Sequence, residues 1–436
     1  MTEQEYYYAV YPKIKNCFTY AYYVLGAGAE LIRLGWNPNG LLVTVEPKEN
    51  LYRLISEHGL QVFIPVIGIN SDTVLAPFDF EISLTSENYK LYEDKEYQKH
   101  FYKKIFVLIK YLEKMFNERG IHYLLDLTPS GGHILFHVKR GTKVFNELKE
   151  IGFLEEDLKK AYAHKSDIDY QRKYGVSEDA GFVFSGLGRL SEYIGLKAKK
   201  ELKEYDGYPI TICDSLDKSI NYDNSWAGDS AYKRIMRSPF SLHKKNTQKY
   251  GKYWQNSLVD ILQTVRSENE NITIDNMEYL IDCMWDLNLA SIHSEQFSGN
   301  IPVANDSLCS LIDDYKKSEL YEFHKEFDSS LSFSKGEILK KALTDNRLNN
   351  DTKNILHYPD PALLQPMWLK SLIHDLVIEN GYSPREAACL IRDFYQNNQY
   401  HWAGTDWLKY PSETRANFWA RTYTAVLLLE NGKIRV

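Results

Sequence analysis

The run Val74-Leu75-Ala76-Pro77-Phe78-Asp79-Phe80-Glu81-Ile82 constrains the fold of this chain more than any other stretch. Its branched and aromatic residues suit a pleated strand, in which residues two apart face the same side. Phe80 and Ile82 therefore point into a core, while Asp79 and Glu81 project together from the opposite face. Two carboxylates so placed repel each other unless a positive charge lies between them, and a divalent cation meets that need. The solvent face of an ordinary sheet also carries acids, so Asp-x-Glu alone does not fix a chemistry.

A second motif is Asp126-Leu127-Thr128-Pro129-Ser130-Gly131-Gly132-His133-Ile134-Leu135-Phe136-His137. It reads as a strand, a tight turn and a second strand beginning near His133. Alternation places His133, Leu135 and His137 on one face and Ile134, Phe136 and Val138 on the other. Ser130, Gly131, Gly132 and His133 together offer hydroxyl, backbone N–H and imidazole donors of the kind that hold phosphate. A plain hairpin whose second strand starts with histidine has the same pattern.

A third stretch is basic. From Ala231 to Tyr253 there are seven Lys or Arg and no Asp or Glu, in a chain of formal net charge −7. Within it, Arg237-Ser238-Pro239-Phe240-Ser241-Leu242-His243-Lys244-Lys245 combines rigid guanidinium forks, mobile ammonium groups and neutral donors. That mixture suits a triphosphate or a nucleic-acid backbone, although most charge runs are solvated loops. Just upstream, Ile220-Asn221-Tyr222-Asp223 ends in a carboxylate that could join Asp79 and Glu81. Asp229 competes for that role, and Asp214 and Asp217 are weaker candidates.

The rest of the chain sets the frame. With 436 residues, two or three domains are expected. Strands at 41–45, 61–67, 74–82, 123–126 and 132–138 mix with helices without a βαβ rhythm, which indicates an α+β domain around a largely antiparallel sheet. The clearest helix runs from Tyr97 to Glu118, with Gly120 as its stop. Residues 1–253 form this first unit and 254–358 a polar helical connection, with a helix over 277–287. Residues 359–436 form a C-terminal helical unit. There, Pro366 opens one helix, Ser383-Pro384-Arg385-Glu386 is a capping box, and a last helix covers 412–430. Five scattered cysteines without a Cys-x-x-Cys pair fit a reducing cytoplasm and argue against bound zinc. No apolar run is long enough for a membrane span, and no signal peptide is visible.

In chain order these motifs are acid-x-acid, Ser-x-x-His, a lone acid, then Arg…Ser-x-His. That order resembles the archaeo-eukaryotic primase superfamily, over about residues 60 to 250. The resemblance implies an RRM-like primase-polymerase catalytic core followed by an all-α C-terminal region of bacterial or mobile-element type. Carried onto this chain, it makes Asp79, Glu81 and Asp223 the catalytic acids, holding two Mg²⁺ or Mn²⁺ ions. Ser130, Gly131, Gly132, His133, Arg237, Ser241, His243, Lys244 and Lys245 would bind the incoming NTP or dNTP. The implied activity is template-dependent nucleotidyl transfer on single-stranded DNA, in the cytoplasm, with a helicase or other replication protein as partner and no zinc. The zinc knuckle common in the superfamily is missing, and the spacing from Asp223 to Arg237 is slightly long. Two other readings share parts of the pattern: a rolling-circle or relaxase-type endonuclease, and a non-catalytic single-strand-binding replication protein.

Overall fold

The computed structural model describes residues 1–15, 17, 24–26, 61–67, 72–83, 94–168, 177–214, 218–231, 234–242, 263–264, 274–297, 299–358, 366–396 and 411–436. The expected strand at 41–45 lies outside the described residues, as do Asp217, His243, Lys244 and Lys245.

The fold is α+β. The main sheet has seven strands in the order β10-β4-β5-β3-β8-β7-β6, and only the β7–β8 pair is parallel. Its strands are β3 (Thr73–Ile82), β4 (Leu124–Thr128), β5 (Gly131–Lys139), β6 (Glu204–Tyr205), β7 (Tyr208–Ile212), β8 (Ile220–Asp223) and β10 (Gln263–Thr264). A smaller antiparallel sheet joins β1 (Val24–Gly26), β2 (Gln61–Pro65) and β9 (Ile235–Arg237) in the order β1-β2-β9. The bridge Ile67↔Val74 leads the chain from the small sheet into the large one.

Burial alternates as expected only over the last residues of β3, from Phe78 to Ile82. From Thr73 to Phe78 every residue is buried, and only Asp79 and Glu81 are partly open. On the closed face, Phe78 meets Phe116 of α2 (Lys95–Asn117) edge-on and stacks on Trp226, at centroid separations of 6.4 and 6.2 Å. Gly120, with φ 63°, follows the end of α2 as expected. The same face packs on α5 (Glu178–Leu202), whose residues from Ala180 to Leu196 are mostly buried.

Other helices surround this core. N-terminal α1 (Glu3–Ile14) opens with a capping box on Thr2. Helices α3 (Lys143–Ile151) and α4 (Glu156–Ile168) precede α5. In the connecting region the helix expected over 277–287 is two helices, α6 (Ile274–Trp285) and α7 (Leu287–Ser294). Asp286 divides them because its carboxylate accepts the amides of Asn288 and Leu289 and caps the second. There follow α8 (Leu308–Lys316), α9 (Glu319–Ser329), α10 (Glu337–Thr344) and α11 (Asn350–His357). The C-terminal unit is α12 (Pro366–Ile373), α13 (Pro384–Tyr395) and α14 (Ser412–Glu430). The capping box on Ser383 forms as its sequence predicts.

These last helices are joined to the first unit by buried polar contacts. Arg385 of α13 makes a two-pronged bond to Glu155 at 2.9 and 3.2 Å, and Asn417 of α14 donates to the same carboxylate. Arg421 and Thr422 of α14 reach Glu192 of α5 at 3.1 and 3.2 Å. No helix among the described residues is long and apolar enough to cross a membrane.

Candidate active site

The turn at Pro129–Ser130 sets the register of everything around it. Its two residues leave Thr128 opposite Gly131 and Asp126 opposite His133. Helix α2 grips the turn: Gln98 donates to the Pro129 carbonyl at 3.0 Å and Tyr102 to the Gly131 carbonyl at 2.7 Å. The two glycines serve this packing directly. A Cβ on Gly131 would lie 1.9 Å from the Phe80 carbonyl oxygen, and one on Gly132 would lie 2.5 Å from that of Asp126. Their smallness is thus required by the sheet's own backbone.

With that register, one row of polar side chains crosses four strands. Asp126 on β4 faces His133 on β5, His133 faces Asp79 on β3, and Asp79 faces Asp223 on β8. Glu81 lies two residues along β3 from Asp79, opposite Asn221. His133 Nδ1 donates to Asp126 Oδ2 at 3.1 Å, which leaves Nε2 directed toward Asp79 Oδ1 at 3.6 Å. The second separation is too long for a hydrogen bond. Burial works against charge on His133, yet the Asp79 carboxylate and the bond to Asp126 outweigh it and raise its pKa. When the ring is protonated both nitrogens carry hydrogen, and the Nε2–H is then able to serve an anion.

Opposing carboxylates at Asp79 and Asp223 are the unusual element. Directly paired positions across antiparallel strands bring Cβ atoms to about 4.5–5.5 Å, and like charges there destabilise the sheet. Asp223 Oδ1 accepts the Ser225 amide at 2.8 Å. Asp79, Glu81 and Asp223 offer hard oxygen donors, the chemistry that Mg²⁺ and Mn²⁺ select. Among the described residues no group of three or more His, Cys, Asp or Glu side chains is placed to hold a metal ion. Mg²⁺ itself commonly takes only one or two protein carboxylates, keeping several waters and completing its shell with substrate phosphates.

Arg237 comes to the site from the small sheet, where it pairs with Phe63. It lies near enough to act electrostatically on both Asp126 and His133. Asp229 is placed elsewhere: it is buried, accepts the Ser230 amide at 2.7 Å and faces Arg234 at 3.4 Å. Asp214 is buried too, 3.9 Å from Lys370. Of the candidate third acids, Asp223 is the one across from Asp79. Ser241 does not reach the row. It is fully enclosed, and its hydroxyl donates to the Leu242 carbonyl at 3.0 Å beside Tyr7. Ser130 lies in the turn itself, with its carbonyl accepting the Ile82 amide at 2.7 Å.

No family model, curated protein or solved structure matches this chain significantly. The site must therefore be read from its own chemistry.

Asp126 is the site residue that sequence motifs did not single out. A count outward from the two-residue turn finds it, since Asp126 and His133 are equidistant from Pro129–Ser130. His137 shares the His133 face, but it lies four positions along the strand, about 13 Å away. Burial lowers its pKa to about 4, so it stays neutral.

Proposed function

We propose that this chain is a metal-dependent nucleotidyltransferase of the archaeo-eukaryotic primase type, which extends or initiates a strand on single-stranded DNA. The observation that carries the reading is the facing pair Asp79–Asp223, with Glu81 beside it and His133 next in the row. Acids facing each other across two strands, with an imidazole one strand away, suit a cation and a triphosphate bound together. Two divalent cations there would supply an acidified 3′-hydroxyl and neutralise the departing pyrophosphate. Asp79, Glu81 and Asp223 would hold them. His133, oriented by Asp126, would donate its outward N–H to a phosphate oxygen, and Arg237 would add a forked cation. Ser130, Gly131, Gly132, Ser241, His243, Lys244 and Lys245 remain part of the proposed nucleotide site by the motif order. The enclosure of Ser241 makes it the least accessible of the described ones. Template contact would be dominated by backbone charge and therefore salt-sensitive.

The spacing of His133 and His137 disfavours the relaxase-type reading, which needs both histidines on one metal. A non-catalytic strand binder leaves the facing acids without a role.

The deciding assay incubates the full chain with circular single-stranded DNA, Mn²⁺ or Mg²⁺, and labelled NTPs or dNTPs. New or extended oligonucleotides are the expected product. A covalent phosphotyrosine adduct, or a mobility shift without products, would replace this reading with one of the other two.

A further inference from the structure

Asp223 is carried by backbone that a residue outside its own strand grips on both sides. Cys213, at the end of β7, donates its amide to the Tyr222 carbonyl at 3.0 Å. Its sulfur accepts the amide of Asn224 at 3.2 Å. The residues immediately before and after Asp223 are thus tied to one cysteine. Cys213 adopts φ 51°, a left-handed conformation that a side chain keeps only where its surroundings enforce it. An enforcing contact comes from the far end of the chain. Tyr423 of α14 donates its hydroxyl to the Cys213 carbonyl at 2.8 Å, and both residues are buried. The same helix sets Phe418 against Gly228, at the end of the short turn after Asp223. A Cβ on Gly228 would stand 2.8 Å from the Phe418 ring, so the contact is close.

The geometry points to Tyr423 and Cys213 as positioning residues for Asp223, through which the C-terminal helix sets the spacing of the Asp79–Asp223 pair and its hold on a divalent cation. This deepens the nucleotidyltransferase reading and rests on its metal assignment. The physical need is clear. Like-charged residues directly opposite each other weaken strand pairing, and β8 extends only to Asp223 itself. A clamp on residues 222 and 224 resists that displacement and keeps the pair at a usable separation. Neither Tyr423 nor Cys213 touches a reacting group, so their influence passes through the backbone.

The test uses the full chain and Mn²⁺ alone, with bound and free ion measured by electron paramagnetic resonance and melting followed in parallel. The parent protein should bind Mn²⁺, and Asp223→Asn should lose most of that binding. Tyr423→Phe, which removes only the hydroxyl, should raise the dissociation constant about tenfold or more, the range seen when outer partners of a metal site are removed. Cys213→Ala should shift it the same way. Val426→Ala, a core truncation on α14 outside the Cys213 bond, should lower the melting temperature without changing Mn²⁺ affinity. If Tyr423→Phe binds like the parent while Asp223→Asn does not, the clamp is overturned and the metal assignment stands. If Val426→Ala weakens binding as much as Tyr423→Phe, general softening replaces the clamp. If Asp223→Asn binds like the parent, the metal assignment falls and the clamp falls with it.

Discussion

Asp79 has a carboxylate directly across from it on one side and an imidazole on the other. It and Glu81 are the open positions of an otherwise closed strand. Replacing both with alanine should leave the melting temperature within a few degrees of the parent and abolish nucleotide incorporation. Thermal melting and primer extension on one preparation check this, and retained extension would remove the pair from the site. Asp126 acts one step back. Asp126→Asn keeps an acceptor for His133 Nδ1 but loses the charge that favours the imidazolium. The nucleotide dissociation constant should rise about tenfold, matching roughly 1.5 kcal/mol for a weakened charge-assisted bond. Equilibrium competition with unlabelled nucleotide measures it; unchanged affinity would place the phosphate away from His133.

At the scale of elements, the hairpin of β4 and β5 and its fit against β3 decide whether the site row forms. Gly131→Ala forces a Cβ against the Phe80 carbonyl, while Gly141→Ala, at φ 82°, meets no atom within 4 Å. The first should cost more than about 2 kcal/mol through overpacking of paired backbone. The second should cost only the strain of a left-handed residue, about 1 kcal/mol. Urea unfolding of both variants compares them, and equal losses would mean that close strand packing is unimportant here. Helix legibility varied for a related reason. Helix α2 shows its amphipathic stripe in sequence because one side faces solvent. Helix α5 carries Gly181, Gly186, Gly188 and Gly195 and is buried nearly all round, so it has neither strong propensity nor a helical stripe.

Across the whole molecule, acids of the first unit are neutralised by residues from the last. Glu192 is fully buried; burial opposes its charge, but Arg421 and His324 overcome this and hold its pKa down to about 2. Arg421→Met should therefore cost about 3–5 kcal/mol, because it strands a buried carboxylate. Denaturant unfolding is the measurement, and a loss under 1 kcal/mol would show that water reaches Glu192. A chain ending near Lys353 would strand Glu155 as well, and should be recovered aggregated. A soluble, active truncation would contradict that. The pH dependence has a definite sign. His324 and His137 are both lowered by burial to about 4, so the unfolded chain binds their protons first as pH falls from 6.5. Their contribution is complete above pH 6.5 and is lost toward pH 4, and that of Glu192 is lost below about 4.5. Melting temperature should fall steadily from pH 7 to pH 4; a flat profile would show that these groups titrate normally.

Local pattern alone determined the alternation of β3, the hairpin at Pro129–Ser130, the capping box on Ser383 and the span of α14. Each depends on neighbours within a few residues, where sterics and hydrogen bonding act directly. The pairing of Asp79 with Asp223, the displacement of Asp229 to Arg234 and the enclosure of Ser241 under Tyr7 were decided by tertiary structure. So was the bond from Tyr423 to Cys213. Apart from Asp229 and Arg234, five positions apart, these contacts join residues more than a hundred positions apart, and a strand's own period says which face a side chain takes but not which strand will lie beside it.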